Sequence, residues 1–251
     1  MRENELYNSK KEHETNMRSF INWPILERIK NSPKEYIVQR KVSLIDAFLF
    51  GYENVYLKVD NIEQLEAKYE HIPSIEDYVR KKYNANHIGT RNFKSIISFT
   101  CEDERDFFYR YYSCLEEYDR TFPIEEVVSY GLVETPRFTL NELLGGIRKR
   151  FPMYFGDYDI SGLRAFLDGY FFCKKEYDIL LTVYDKKVKA FTEGIASEEL
   201  NLSGEFVTWD RLYRYDRDWK AWGEIDDRQA KEILESFWND LDAFAGQNNE
   251  E

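Results

Sequence analysis

Set against itself at a spacing of 118 residues, the chain repeats: "IKNSPKEYIVQRKVSLIDAFLFGY", Ile29 to Tyr52, falls without a gap on "IRKRFPMYFGDYDISGLRAFLDGY", Ile147 to Tyr170. Eight of the 24 paired positions are identical: Ile29/Ile147, Tyr36/Tyr154, Ser43/Ser161, Ala47/Ala165, Phe48/Phe166, Leu49/Leu167, Gly51/Gly169 and Tyr52/Tyr170. Lys30/Arg148, Val42/Ile160 and Ile45/Leu163 are conservative pairs. The match resumes at a spacing of 126, where Arg91–Lys94, "RNFK", meets Arg217–Lys220, "RDWK". Both halves then close on the same stripe. Phe107, Phe108, Tyr111, Tyr112, Leu115 and Tyr118 lie opposite Ile233, Leu234, Phe237, Trp238, Leu241 and Phe244, at the spacing of one face of a helix. Between these anchors "EDYVRKKY" (Glu76 to Tyr83) pairs with "VTWDRLYR" (Val207 to Arg214) across a longer insertion. A repeat this long is a duplicated domain of about 100 residues, not a solenoid unit of roughly 20 to 50.

The expected fold is mainly α: two tandem, related small helical domains of about five helices each. Residues 1–18 form a polar tail, 19–121 the first domain, 122–138 a linker bounded by Pro123 and Pro136, 139–246 the second domain, and 247–251 a short tail. Each domain opens with an amphipathic helix, Phe20 to Asn31 or Leu140 to Arg150, the second with Thr139 and Glu142 spaced for a capping box. Pro33 and Pro152 stop these helices, so "KEYIV" and "PMYFG" read as extended connectors. Ser43 and Ser161 read as N-caps of the next helix, whose Gly51 or Gly169 either ends it or admits another backbone. A third helix carries Tyr78 and Val79, or Trp209 and Leu212; a short fourth begins near Phe93 or Trp219. A long fifth starts among acids that suit the positive end of its dipole. Tyr177 to Gly194, found only in the second half, allows either a short β-hairpin insertion or a helix extension.

A net charge of −12 opposes direct nucleic-acid binding, which needs clustered cations, and favours attraction to a basic partner. No apolar run reaches the roughly 20 residues of a membrane span, and no apolar leader precedes the first domain, so the expectation is a cytoplasmic protein without membrane contact. Three widely spaced cysteines, Cys101, Cys114 and Cys173, fit buried packing better than a disulfide or thiolate site.

Motifs that would carry chemistry are missing: there is no HExxH, CxxC or HxH, no phosphate-binding glycine loop and no GxSxG. No catalytic, cofactor or metal residue is therefore expected. The run Arg148–Arg150 lies at a helix C-terminus, where cations complement the dipole, and its first-half counterparts are Lys30, Asn31 and Ser32. Carboxylate pairs such as Glu116/Glu117, Asp226/Asp227 and Asp240/Asp242 read as solvated helix faces. Of the aromatic residues, Tyr112, Tyr215, Trp222 and Trp238 are read as partly exposed, the kind of anchor that interfaces favour.

The second half, with "IRKRFPMYFG", "SGLRAFLDGY", "FVTWDRL", "DWKAWGEI" and "DDRQAKEILESFWNDLDAF", resembles a group of small bacterial proteins patterned RKRPGMYxG, SLxxLxAFLxGY and DExxAFxxFFxLLDEF. The first half offers "SLIDAFLFGY", "IEDYVRKKY", "NFKSII" and "DERDFFYRYYSCLEEY". Similarity spans most of residues 20 to 246, although Phe151 and Pro152 replace the Pro-Gly of the first box and the first half has lost most of it. The resemblance implies an immunity protein of the kind found beside secreted bacterial toxins: non-enzymatic, without cofactor, binding a toxin domain. "RKRFPMY" also resembles a segment of type II topoisomerase ATPase domains, but the DxGxG of that family is absent and ATP binding is rejected. The candidate partner-binding residues are Tyr112, Glu116 and Glu117 in the first half and Trp238, Asp240 and Asp242 in the second. The alternatives are a carboxylate-dependent enzyme of nucleic-acid or nucleotide metabolism using Arg148 or Arg150, and a regulatory adaptor with two unequal faces.

Overall fold

The computed structural model describes residues 23–55, 57–59, 72–85, 92–123, 130–132, 138–203, 209–210, 213 and 226–247. Among them are eleven helices, so the protein is mainly α. The chain divides into two compact units, Met1–Ile45 with Tyr56–Glu134, and Asp46–Val55 with Thr135–Glu251.

Unit 1 holds α1 (Trp23–Asn31), α2 (Pro33–Tyr36), the start of α3 (Val42–Glu53), α4 (Ile75–Lys82), α5 (Phe93–Ser98) and α6 (Glu104–Thr121). A short antiparallel pair joins β1 (Leu57–Val59) to β2 (Tyr130–Leu132), with Leu57 opposite Leu132. Its helices begin where short polar side chains meet unbonded amides: Ser74 accepts from the Asp77 amide, Asn92 from Ser95 and Asp103 from Asp106. Helix α4 ends on Asn84, at φ 50, whose left-handed turn lets the Ala85 amide reach the Arg80 carbonyl. The α6 stripe buries Phe108, Tyr111, Tyr112, Leu115 and Tyr118, and α4 and α5 pack against α6 through Val79, Ile96 and Ile97.

Unit 2 holds the rest of α3 with α7 (Leu140–Lys149), α8 (Phe151–Phe155), α9 (Ile160–Glu176), α10 (Val183–Ser203) and α11 (Asp227–Gln247). The capping box expected at Thr139 and Glu142 forms in both directions. Helix α10 packs against α7 and α11, around a core that includes Ile147, Val188, Phe237 and Leu241. Helix α3 crosses α9 at two glycines. A Cβ on Gly51 would lie 1.9 Å from the Phe166 carbonyl oxygen, and one on Gly169 would lie 2.0 Å from that of Phe48. Each glycine thus makes room for a backbone, the second of the two roles read from the sequence.

Two local expectations are corrected and one open alternative is decided. The connectors after Pro33 and Pro152 are short helices, α2 and α8; proline occupies one of the first two positions of each, where no amide bond is lost. Ser43 and Ser161 lie inside their helices, and the cap of α9 is Asp159, whose carboxylate accepts from the Ser161 amide. The 177–194 segment forms no hairpin: Asp178, at φ 52, closes α9, and α10 starts at Val183. The reason is a second box, in which the Asp185 amide donates to Thr182 Oγ1 (3.1 Å) and the Thr182 amide to Asp185 Oδ2 (2.8 Å). Trp209 and Asp210 are helical, while Leu212, Tyr215, Trp219 and Trp222 lie outside the described residues.

Candidate functional site

The residues that concentrate chemistry on the surface of unit 2 come from the repeated stretch and the closing helix. Arg148 at the end of α7, Phe151 at the start of α8 and Tyr158 before α9 face Lys231, Leu234, Glu235, Trp238 and Asn239 of α11. Together they line an open recess of about 480 Å3. Proline in α8 and the left-handed Gly156 at its end (φ 86) turn the chain so that Phe151 and Tyr158 stack in near-parallel planes, 6.3 Å apart. The Lys231 ammonium sits 4.5 Å from the Tyr158 ring centre, and the Arg148 guanidinium 5.8 Å from that of Trp238. Arg148 also donates to Asp242 at 2.7 Å. The recess therefore offers aromatic faces, two cations held over them, and carboxylates along α11.

Of the sequence candidates, Trp238 is in the wall of this recess and Asp242 is bonded to Arg148 beside it, while Asp240 accepts from the Tyr213 hydroxyl at 2.9 Å. Asp240 and Asp242 are exposed, Asp242 to 64%. Trp238, however, is only 5% exposed and Tyr112 only 1%, which corrects the reading of both as partly exposed anchors. The cause is periodicity: both belong to the apolar stripe of their helix and are consumed by its packing. Glu116 and Glu117 are half-buried and engaged within unit 1, Glu116 by Lys30 and Glu117 by Lys82 and the Tyr78 hydroxyl. Lys82, with Tyr78 second, holds the Glu117 carboxyl below its ordinary range. The two α6 carboxylates thus serve contacts inside unit 1, and Tyr112 contributes to its core.

The Tyr112 hydroxyl is buried without a hydrogen-bond partner among the described residues. Desolvating a hydroxyl that gains no bond is unfavourable, so Tyr112→Phe should leave stability unchanged or raise it by up to about 1 kcal/mol in urea titration. A loss of more than that would place a partner on this oxygen.

Unit 2 holds two further charged clusters that the sequence analysis does not single out. Arg164 donates to Asp210 at 2.8 Å and pairs with Asp168 at 3.3 Å, and Ser161 Oγ approaches Asp210 at 3.4 Å. Desolvation pushes the Asp168 carboxyl up to about 7; Arg164 opposes this and Asp210 adds to it. With 42% of its side chain accessible, solvent screens that effect. Lys174 and Asp185 form a buried pair whose sequence signal was the Thr182-x-x-Asp185 box. For Arg164 and Asp210, 46 positions apart, no local spacing carries a signal. No group of three or more metal-ligating side chains occurs among the described residues, and no described helix is long and apolar enough to cross a membrane. No protein-family model, curated protein or solved structure matches this chain.

Proposed function

We propose that this chain is a non-enzymatic, cytoplasmic protein of the immunity or antitoxin type, built by tandem duplication, that binds and occludes a basic toxin domain. The observation that carries the reading is the unit 2 recess. Tyr and Arg are among the side chains on which protein interfaces concentrate their binding energy, and here the partly exposed Tyr158 and Arg148 line one concavity large enough to admit a partner's side chain, with the buried Trp238 as its floor. Glu235, Asp240 and Asp242 along the same helix supply negative charge that would steer a basic partner.

Two pairs of contacts support the duplication. Lys30 bonds Glu116, and Arg148 bonds Asp242: their first members are 118 residues apart and their second members 126, the same two spacings that align the halves. Gly51 against Phe166 and Gly169 against Phe48 likewise exchange roles at a spacing of 118. Each ion pair is partly exposed and worth only about 0.2–1 kcal/mol, so its recurrence matters as geometry more than as stability.

The products of genes adjoining this one, tested for capture by the purified chain, give the direct check. A basic toxin domain should be bound and neutralised. Asp240→Lys with Asp242→Lys should then slow association by about tenfold at low salt and flatten its salt dependence. Failure of every neighbouring product to bind would sink the reading. The enzyme alternative rests on carboxylates with Arg148 or Arg150; Arg148 is taken up by Asp242, and in the Asp168–Arg164–Asp210 cluster one guanidinium engages both carboxylates and Asp210 is buried, which favours a structural role there.

A further inference from the structure

Unit 1 has a recess of its own, of about 380 Å3, with a different lining. Pro33, Ile37 and Val38 form an apolar wall, Pro33 and Ile37 being buried. Around it stand Lys34, Arg40, Lys41 and Arg105, with Glu104 as the single carboxylate in the lining. None of these four cations has an ion-pair partner among the described residues, whereas Lys30, Arg80, Lys82 and Arg110 of the same unit are each paired. Beside Arg105, Asp103 caps α6 and Asp106 holds Arg110. Arg40 is laid over the Tyr109 ring at 5.9 Å, an arrangement that orients the guanidinium plane without neutralising it.

Four cations without an ion-pair partner among the described residues, gathered at one recess on a chain of net charge −12, are explained by an anionic ligand better than by general solubility. We propose that this recess binds a carboxylate-rich segment of a protein partner. Arg40, Lys41 and Arg105 take its carboxylates, and the Pro33–Ile37 wall takes an apolar side chain beside them. A nucleic acid fits less well: the wall is apolar, and the cations surround one recess instead of following a track. The recess also occupies in unit 1 the place of the aromatic recess in unit 2, since Pro33 and Phe151 are 118 apart and Arg105 and Lys231 are 126 apart. One position would then serve two ligand chemistries. The inference does not depend on a toxin being the partner of unit 2.

The test is a fluorescence-anisotropy titration of the full chain with a labelled peptide alternating glutamate and leucine, beside a lysine–leucine peptide and a single-stranded oligonucleotide. The glutamate peptide should bind and the lysine peptide should not. Arg40→Glu with Arg105→Glu should weaken binding by at least about tenfold, as should high salt, with the thermal unfolding curve unchanged. Glutamate-peptide binding that survives the charge reversal, or is absent in the unsubstituted chain, would overturn the proposal. Tighter binding of the oligonucleotide through the same arginines would overturn the assignment to a protein segment.

Discussion

Gly169→Ala should destabilise unit 2 by about 3 kcal/mol or more, although alanine is the better helix former by about 1 kcal/mol. The added methyl would stand 2.0 Å from the Phe48 carbonyl oxygen, 2.8 Å from its carbon and 3.1 Å from the Phe48 Cα. All three are backbone atoms, so no rotamer change relieves the clash; α3 and α9 must move apart. That movement would open packing on both sides of the crossing, where Phe50 lies 5.3 Å from Phe166 and Phe48 lies 6.0 Å from Phe172. Gly51→Ala should cost a similar amount, because its methyl meets the Phe166 carbonyl at 1.9 Å. Gly145→Ala, in the exposed face of α7 with nothing within 4 Å, is the control and should stabilise by up to about 1 kcal/mol. Urea unfolding followed by tryptophan fluorescence reports mainly on the right unit, since four of the five tryptophans, Trp209, Trp219, Trp222 and Trp238, belong to it and only Trp23 to unit 1. Equal stabilities for the Gly169 and Gly145 variants would mean that the helices do not cross this closely.

The same crossing shows what the amino-acid sequence made legible. The spacing of 118 picked out Gly51 and Gly169 because they fall in the best-kept run of the repeat, "AFLFGY" against "AFLDGY", and the α6 and α11 stripes were visible as helical periodicity. The Thr139 box was visible because a Ser or Thr followed by an acid at the third position is a local signal. Connector geometry was misread because a proline that ends one helix can equally open the next, and only packing of Phe151 and Phe155 into the core decides between them. Tyr112 and Trp238 are buried against expectation because position on the apolar stripe, not side-chain type, decides exposure. Arg148 was legible as a cation at a helix end, but its bond to Asp242, 94 residues away, was not. Pairings at that range depend on how helices pack, which no local pattern encodes. For the same reason Lys231 and Tyr158, which complete the recess, had no signal.

Lys174→Ala should destabilise unit 2 by about 3–5 kcal/mol, the usual consequence of removing one partner from a buried ion pair. Lys174 Nζ lies 2.6 Å from Asp185 Oδ2, each side chain is 1% exposed, and the ammonium rests 5.1 Å from the Tyr170 ring centre. Without it the Asp185 carboxylate keeps, among the described residues, only neutral donors: the Thr182 amide at 2.8 Å and the Tyr170 hydroxyl at 3.3 Å. Those bonds do not balance a full negative charge out of water. Lys174→Met with Asp185→Asn should recover much of the loss, since asparagine can still accept from Thr182 and no charge remains buried; the shortfall from additivity measures the coupling. The pair also ties the end of α9 to the start of α10 across the turn at Asp178, so in the double variant the backbone amides at positions 182 and 185 should exchange faster even where global stability returns. Specificity of that connection, not stability alone, is then what the buried charges supply. A Lys174→Ala variant within about 1 kcal/mol of the unsubstituted chain, with slow exchange at Thr182, would instead show the α10 box to be sufficient by itself.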